Sequence, residues 1–134
     1  MFPSSMLGVA IGMTVAIVVG LSSRPAFAIK QFSDQFKAMY VKAESANPNE
    51  KALAAEFETA KCNVCHVGKN KKERNAYGES LADLLDKKED KEDTAKIKKS
   101  LETVAAMPSE KGNDKSPTFG DLIKEGKLPG GPPK

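Results

Sequence analysis

The stretch KCNVCHVGKN, Lys61 to Asn70, holds both cysteines of the chain, Cys62 and Cys65, and its only histidine, His66. Every sulfhydryl and imidazole therefore falls within the five residues 62–66. Scattering two Cys and one His at random gives this arrangement on the order of once in 10⁴ placements, so the spacing is specific. In a helical turn, positions i, i+3 and i+4 lie on one face. The two thiols and the imidazole are thereby able to address a single flat object from one side.

The sequence around this stretch reads as short helices, with no alternation of the kind a half-buried strand shows. Upstream, Phe32, Phe36, Met39, Tyr40 and Ala43 recur at helical spacing and mark a first amphipathic helix. NPNE, residues 47–50, is a helix start: Asn47 caps, Pro48 fits the first helical position, and Glu50 is placed to reach back. The second helix buries Leu53, Phe57 and Ala60 and is expected to run straight into Cys62. Gly68 ends that region, and the basic run from Lys69 to Asn75 reads as a loop. After Gly78 a short helix presents Leu81, Leu84 and Leu85. The segment from Asp86 to Lys99 mixes five acids with six lysines and reads as a solvated linker entering a charged helix face. Ile97, Leu101 and Val104 form the stripe of a fourth helix, ended by Met107–Pro108. Thr118 and Asp121 open a last short helix that Gly126 closes, and LPGGPPK is expected to fray. The fold class is all-α, with four to five short helices in one domain.

Residues 1–28 stand apart. Met6 to Leu21 is continuously apolar or small, and Ala26-Phe27-Ala28 has the small–large–small form of a cleavage site. That is a secretory signal peptide without the usual basic start. The alternative is an uncleaved membrane anchor, against which the apolar run is shorter than the roughly 20 residues that cross a bilayer; with cleavage, no stable membrane insertion is expected. The domain is then 29–134, exported to a periplasmic or extracellular space. It carries twenty basic against eighteen acidic residues, a mixed surface unsuited to nucleic acid. Four phenylalanines (Phe32, Phe36, Phe57, Phe119) and two tyrosines are a thin apolar supply for its size. Such a domain gains from a disulfide, a metal or a large apolar cofactor.

C-x-x-C-H is the attachment signature of c-type haem. The thiols of Cys62 and Cys65 add across the porphyrin vinyl groups as thioethers, and His66 binds the iron. Rival readings use the same atoms. A thioredoxin-like C-x-x-C expects a βαβ context. A structural zinc site needs four ligands, and no further Cys or His exists here. A plain disulfide leaves His66 without a role.

With CNVCH, the helix that delivers it and RNAYGESL (Arg74 to Leu81) in view, the chain resembles small exported bacterial cytochromes c with one haem. The resemblance covers about Asn49 to Leu85. It implies short helices wrapped on the haem and single-electron transfer to redox partner proteins, with no bond chemistry. It also implies Cys62 and Cys65 as thioether donors and His66 as proximal ligand. Met107, the only methionine after the motif, is the candidate for the sixth iron ligand, and with it would come a raised potential. Two alternatives are a haem protein with an open iron position for a small ligand or peroxide, and a haem-free disulfide module. Lys69, Lys71, Lys72 and Arg74 are candidates to steer an acidic docking patch on a partner. Asn75 and Tyr77 are candidates to hydrogen-bond haem propionates or water, with Tyr77 read as a packed aromatic whose hydroxyl stays wet.

Overall fold

The computed structural model describes residues 27–69 and 72–134. The proposed signal sequence lies outside them except for Phe27 and Ala28. The described residues form five α-helices and no strand: α1 (Phe27–Tyr40), α2 (Pro48–Ala60), α3 (Ala76–Ala82), α4 (Thr94–Ala105) and α5 (Phe119–Lys124). The all-α expectation is met. None of these helices is long and apolar enough to cross a membrane.

Helix α4 organises the packing, touching α1, α3 and α5, while α2 leans on α5. Its stripe of Ile97, Leu101 and Val104 is almost fully buried. Four aromatic rings then join the helices. Phe36 of α1 stacks on Phe57 of α2 at 5.7 Å and meets Tyr77 of α3 edge-on at 5.9 Å. Tyr77 in turn meets Phe119 of α5 at 5.2 Å. Aromatic pairs at such separations add about 0.5–1.5 kcal/mol each beyond area burial.

The helix boundaries follow their caps. The Asn47 side chain accepts from the Asn49 N–H at 2.9 Å, and Pro48 opens α2. Glu50 does not close the box: the Asn47 N–H is taken by Ser45 Oγ, and Glu50 pairs with Lys42. At α5 the reciprocal box forms in full between Thr118 and Asp121. Gly126 (φ +79°) ends that helix, with Lys127 N–H donating to Leu122 and Gly126 N–H to Ile123. A β-carbon at Gly126 would sit 2.6 Å from the Asn49 carbonyl, so α5 docks closely on the start of α2.

The charged run is the solvated stretch expected, mostly exposed as it enters α4, and it is pinned at two points: Asp86 Oδ1 accepts from two backbone N–H groups, and Asp90, 8 % exposed, accepts from Asp86 N–H and Lys96 Nζ. Three expectations are corrected. Helix α1 ends at Tyr40, leaving Ala43 exposed. Helix α3 starts at Ala76 rather than after Gly78, because Asn75 caps it. The tail is not frayed either. Leu128 belongs to the core and Pro129 is buried, because this segment covers the side of Asn75. Leu128→Ala is expected to cost about 2–4 kcal/mol, in the range of buried leucines. Urea unfolding measures this, and a change below 0.5 kcal/mol would contradict a docked tail.

Candidate functional site

Helix α2 does not carry the Cys–His motif. It stops at Ala60 because Lys61 adopts φ +49°, ψ −110°, a conformation that L-residues rarely take. The motif instead lies on a tight 3₁₀ turn, Lys61–Val64, where i and i+3 eclipse. Both Cys65 N–H and His66 N–H donate to the Cys62 carbonyl, at 3.3 and 3.1 Å. The expectation of a continuous helix was wrong, but its consequence holds. Cys62, Cys65 and His66 line one cavity of about 200 Å³, walled by Phe32, Phe36, Phe57 and Leu101. A second cavity of about 300 Å³ adjoins it and shares Phe32, Cys65, His66 and Leu81.

Two devices hold the turn. The first is a backbone strap: Asn75 N–H donates to the Cys65 carbonyl, and Val67 N–H to the Glu73 carbonyl. The second is the Asn75 side chain. Its Nδ2 donates to the Val64 carbonyl at 2.9 Å and the Asn63 carbonyl at 3.4 Å, while its Oδ1 accepts from Gly78 N–H at 2.9 Å. One amide therefore joins the motif to the first turn of α3. That commitment leaves Asn75 without the propionate role considered for it.

The Glu73 carbonyl also lies 3.2 Å from His66 Nδ1. A carbonyl only accepts, so this contact is a hydrogen bond in the tautomer with Nδ1–H, and that tautomer leaves the Nε2 lone pair for a metal. This is the usual way a backbone oxygen orients a ligating imidazole. No side-chain motif announces it, since the acceptor is main chain.

The two cysteines are free thiols in unlike surroundings. Cys62 is exposed. The Cys65 thiol is pushed up to about 12, first by burial, then by Cys62, with Arg74 pulling the other way. At pH 8 its thiolate fraction is about 10⁻⁴. In the folded haem-free chain, iodoacetamide at pH 8 should label Cys62 at least a hundredfold faster than Cys65. Mass mapping reads this, and equal rates in the folded chain would contradict it. The same shift sets an alkaline limit. An unfolded chain releases the Cys65 proton near 9.0, the folded one near 12, so this stability is intact below pH 9 and declines above it. The slope is about 1.4 kcal/mol per pH unit for one proton. Burial shifts Tyr77 upward too, in the same sense. Denaturant midpoints between pH 8 and 11 test this, and a flat profile would contradict it.

Met107 is not part of this constellation. It packs on the edge of the core, beside Ala76, Glu79, Asp83 and Phe119, and does not line the cavity with His66. The chain turns there because Met107 N–H donates to Val104 and the Met107 carbonyl accepts from Phe119 N–H. Met39 lies in another depression, with Tyr40 and Leu53. Among the described residues, no three His, Cys, Asp or Glu side chains gather as a metal cage, so the zinc reading gains nothing.

Four exposed cations border the cavities, Lys30 and Lys61 the first and Arg74 and Lys87 the second; Asp86 also lines the second, and Glu58 lies close enough to Lys61 to interact with it. Of the basic loop proposed earlier, Lys69 and Arg74 are exposed, Lys72 is engaged, and Lys71 lies outside the described residues. No family model, curated protein or solved structure matches the chain.

The donor set fits haem c. Two free thiols and an imidazole with an available Nε2 face one aromatic and aliphatic wall, as a covalently held apolar macrocycle requires.

Proposed function

We propose that the chain is an exported electron-transfer protein with one covalently bound haem, secreted by residues 1–28. Cys62 and Cys65 hold the haem through thioethers and His66 ligates its iron. The observation that carries this reading is the convergence of Cys62, Cys65 and His66 on one apolar cavity, with His66 Nδ1 tied to Glu73. When bound, haem supplies a one-electron ferric–ferrous couple. The chain's own residues do the rest. The hydrogen bond to Nδ1 makes His66 a stronger donor through Nε2. Phe32, Phe36, Phe57 and Leu101 exclude water, which reduces the reorganisation an electron transfer requires. Exposed Cys62 brings one attachment point to the surface. The exposed cations Lys30, Lys61, Arg74 and Lys87 suit a redox partner with an acidic patch, and such steering weakens with salt.

One observation favours a second reading, in which the iron keeps an open position for a small ligand: Met107 does not line the cavity. Visible spectra of the oxidised and reduced protein, with and without carbon monoxide, separate the two. Sharp reduced bands that ignore carbon monoxide mean a protein ligand at the sixth position and an electron carrier. A high-spin spectrum that shifts with carbon monoxide means an open iron and overturns the electron-carrier reading.

A further inference from the structure

The cavities at the motif are small for the macrocycle that their donor set fits. The first measures about 200 Å³ and the second about 300 Å³. Sites for drug-sized ligands run from roughly 300 to 1,000 Å³, and a porphyrin belongs to the larger end of that class. Cys65 and His66 line both cavities, together with Phe32 and Leu81. Seating one macrocycle there requires the Cys–His turn to move. The core side of the turn is fixed. Tyr77, whose hydroxyl was expected from sequence to stay wet, is instead 0 % exposed, wedged edge-on against Phe36 and Phe119.

The outer side is held differently. The C-terminal strap runs from Leu128, in the core, through buried Pro129 and across Asn75 to Gly68. A β-carbon on Gly130 would overlap the Asn75 carboxamide, and one on Gly68 would lie 3.9 Å from the Lys134 carbonyl oxygen. Gly130 has no positive φ, so the nearness of Asn75 alone reserves that position for glycine. The strap thus presses on the amide that ties Val64 to α3 and ends beside the residue two past His66. Yet among the described residues its one hydrogen bond is internal, from Gly131 N–H to the Leu128 carbonyl. Pro129, Pro132 and Pro133 have no N–H to offer. Packing alone docks the strap. Segments held in this way open locally, well below the free energy of global unfolding. The prolines also limit the entropy that a released strap gains, which favours redocking.

We infer that residues 128–134 form a latch on the Cys–His turn: docked on Asn75 and Gly68 they hold the turn closed, and released they let it open as a local unit while the helices stay folded. The inference rests on the function proposed above for what the open turn admits, one haem. On admission each thiol adds across a vinyl group, sulfur to one carbon and its hydrogen to the other, with no oxidant consumed.

The test is amide hydrogen exchange, residue by residue, on the full haem-free chain. In wild type the N–H groups of Cys65, His66 and Asn75 are expected to exchange in step with that of Gly131, with a urea slope less than half that of Leu101 in α4. Gly130→Ala is expected to speed these motif amides by about tenfold or more and Leu101 by less than about threefold. Gly112→Ala is the control: that glycine has φ +81° with nothing near its β-carbon, so it adds backbone strain away from the strap. It should leave the motif amides within about threefold of wild type. The fraction of secreted Gly130→Ala chains that carry haem, read by mass under denaturing conditions, is expected to equal or exceed that of wild type. Motif amides that open only with Leu101, or that respond to Gly130→Ala no more than Leu101 does, overturn the latch. So does a fall in the haem-bearing fraction, which would make the strap part of the built site. Absence of haem in wild type overturns the proposed function instead, and the exchange result stands apart from it. If Gly130→Ala fails to fold, the wild-type exchange pattern decides alone.

Discussion

Gly78→Ala is expected to destabilise the haem-free chain by about 2 kcal/mol and to lower the yield of haem protein. Two effects of opposite sign compete. Gly78 sits inside α3, where alanine would ordinarily gain about 1 kcal/mol in helix propensity. A β-carbon there, however, would fall within contact distance of the Cys65 carbonyl oxygen, with the Cys65 carbonyl carbon 2.9 Å away. The obstacle is backbone and is tied by the hydrogen bond from Asn75 N–H. It is unable to swing aside as a flexible side chain would. Overpacking a rigid site costs about 1–3 kcal/mol or more, so the clash outweighs the propensity. Helix α3 then separates from the turn that carries Cys65 and His66. Urea unfolding and the haem content of the secreted protein report it. Alanine at 78 stabilising the chain would contradict the close approach of α3 to the motif.

His66→Ala is expected to act in the opposite register, with a large effect on the iron and a small one on the fold. His66 is half-buried and makes one side-chain hydrogen bond, so its removal should cost about 1 kcal/mol. On the proposed reading Cys62 and Cys65 would remain able to form thioethers, while the iron would lose its His66 donor. The spectrum should change from that of wild type and the holoprotein yield should fall, with added imidazole restoring part of the wild-type spectrum. Circular dichroism and visible spectra together read both halves. A haem spectrum unchanged by His66→Ala would contradict the ligand assignment. Together, Gly78→Ala and His66→Ala separate the scaffold from the chemistry it presents.

The helices were legible where local chemistry dictates them. The stripes of Phe32 and Phe36, of Leu53 and Phe57, and of Ile97, Leu101 and Val104 need only the helical period, and Asn47, Thr118 and Gly126 are local caps. Long-range contacts were not legible in the same way. Gly78 reads as a helix breaker until α3 is seen lying on Cys65. Leu128, among prolines and glycines, reads as tail until its segment is seen covering Asn75. Asn75 itself is a local cap signal, three residues before that glycine. The motif residues stand out because both cysteines and the only histidine fall within five positions, and the fold sets all three on one cavity. Spacing alone does not decide Met107. It continues the α4 stripe along the chain, but α4 ends at Ala105 and Met107 lines a different depression from His66.

The central claim is covalent attachment of one haem through Cys62 and Cys65. Mass spectrometry of the secreted protein under denaturing conditions tests it most directly, with Cys62→Ala and Cys65→Ala alongside. The account predicts a mass increase of one haem that survives denaturation, with each single variant keeping at most one thioether and the double variant losing haem entirely. A mature chain that carries no haem despite a working attachment system, or a haem retained by the double variant, would contradict it.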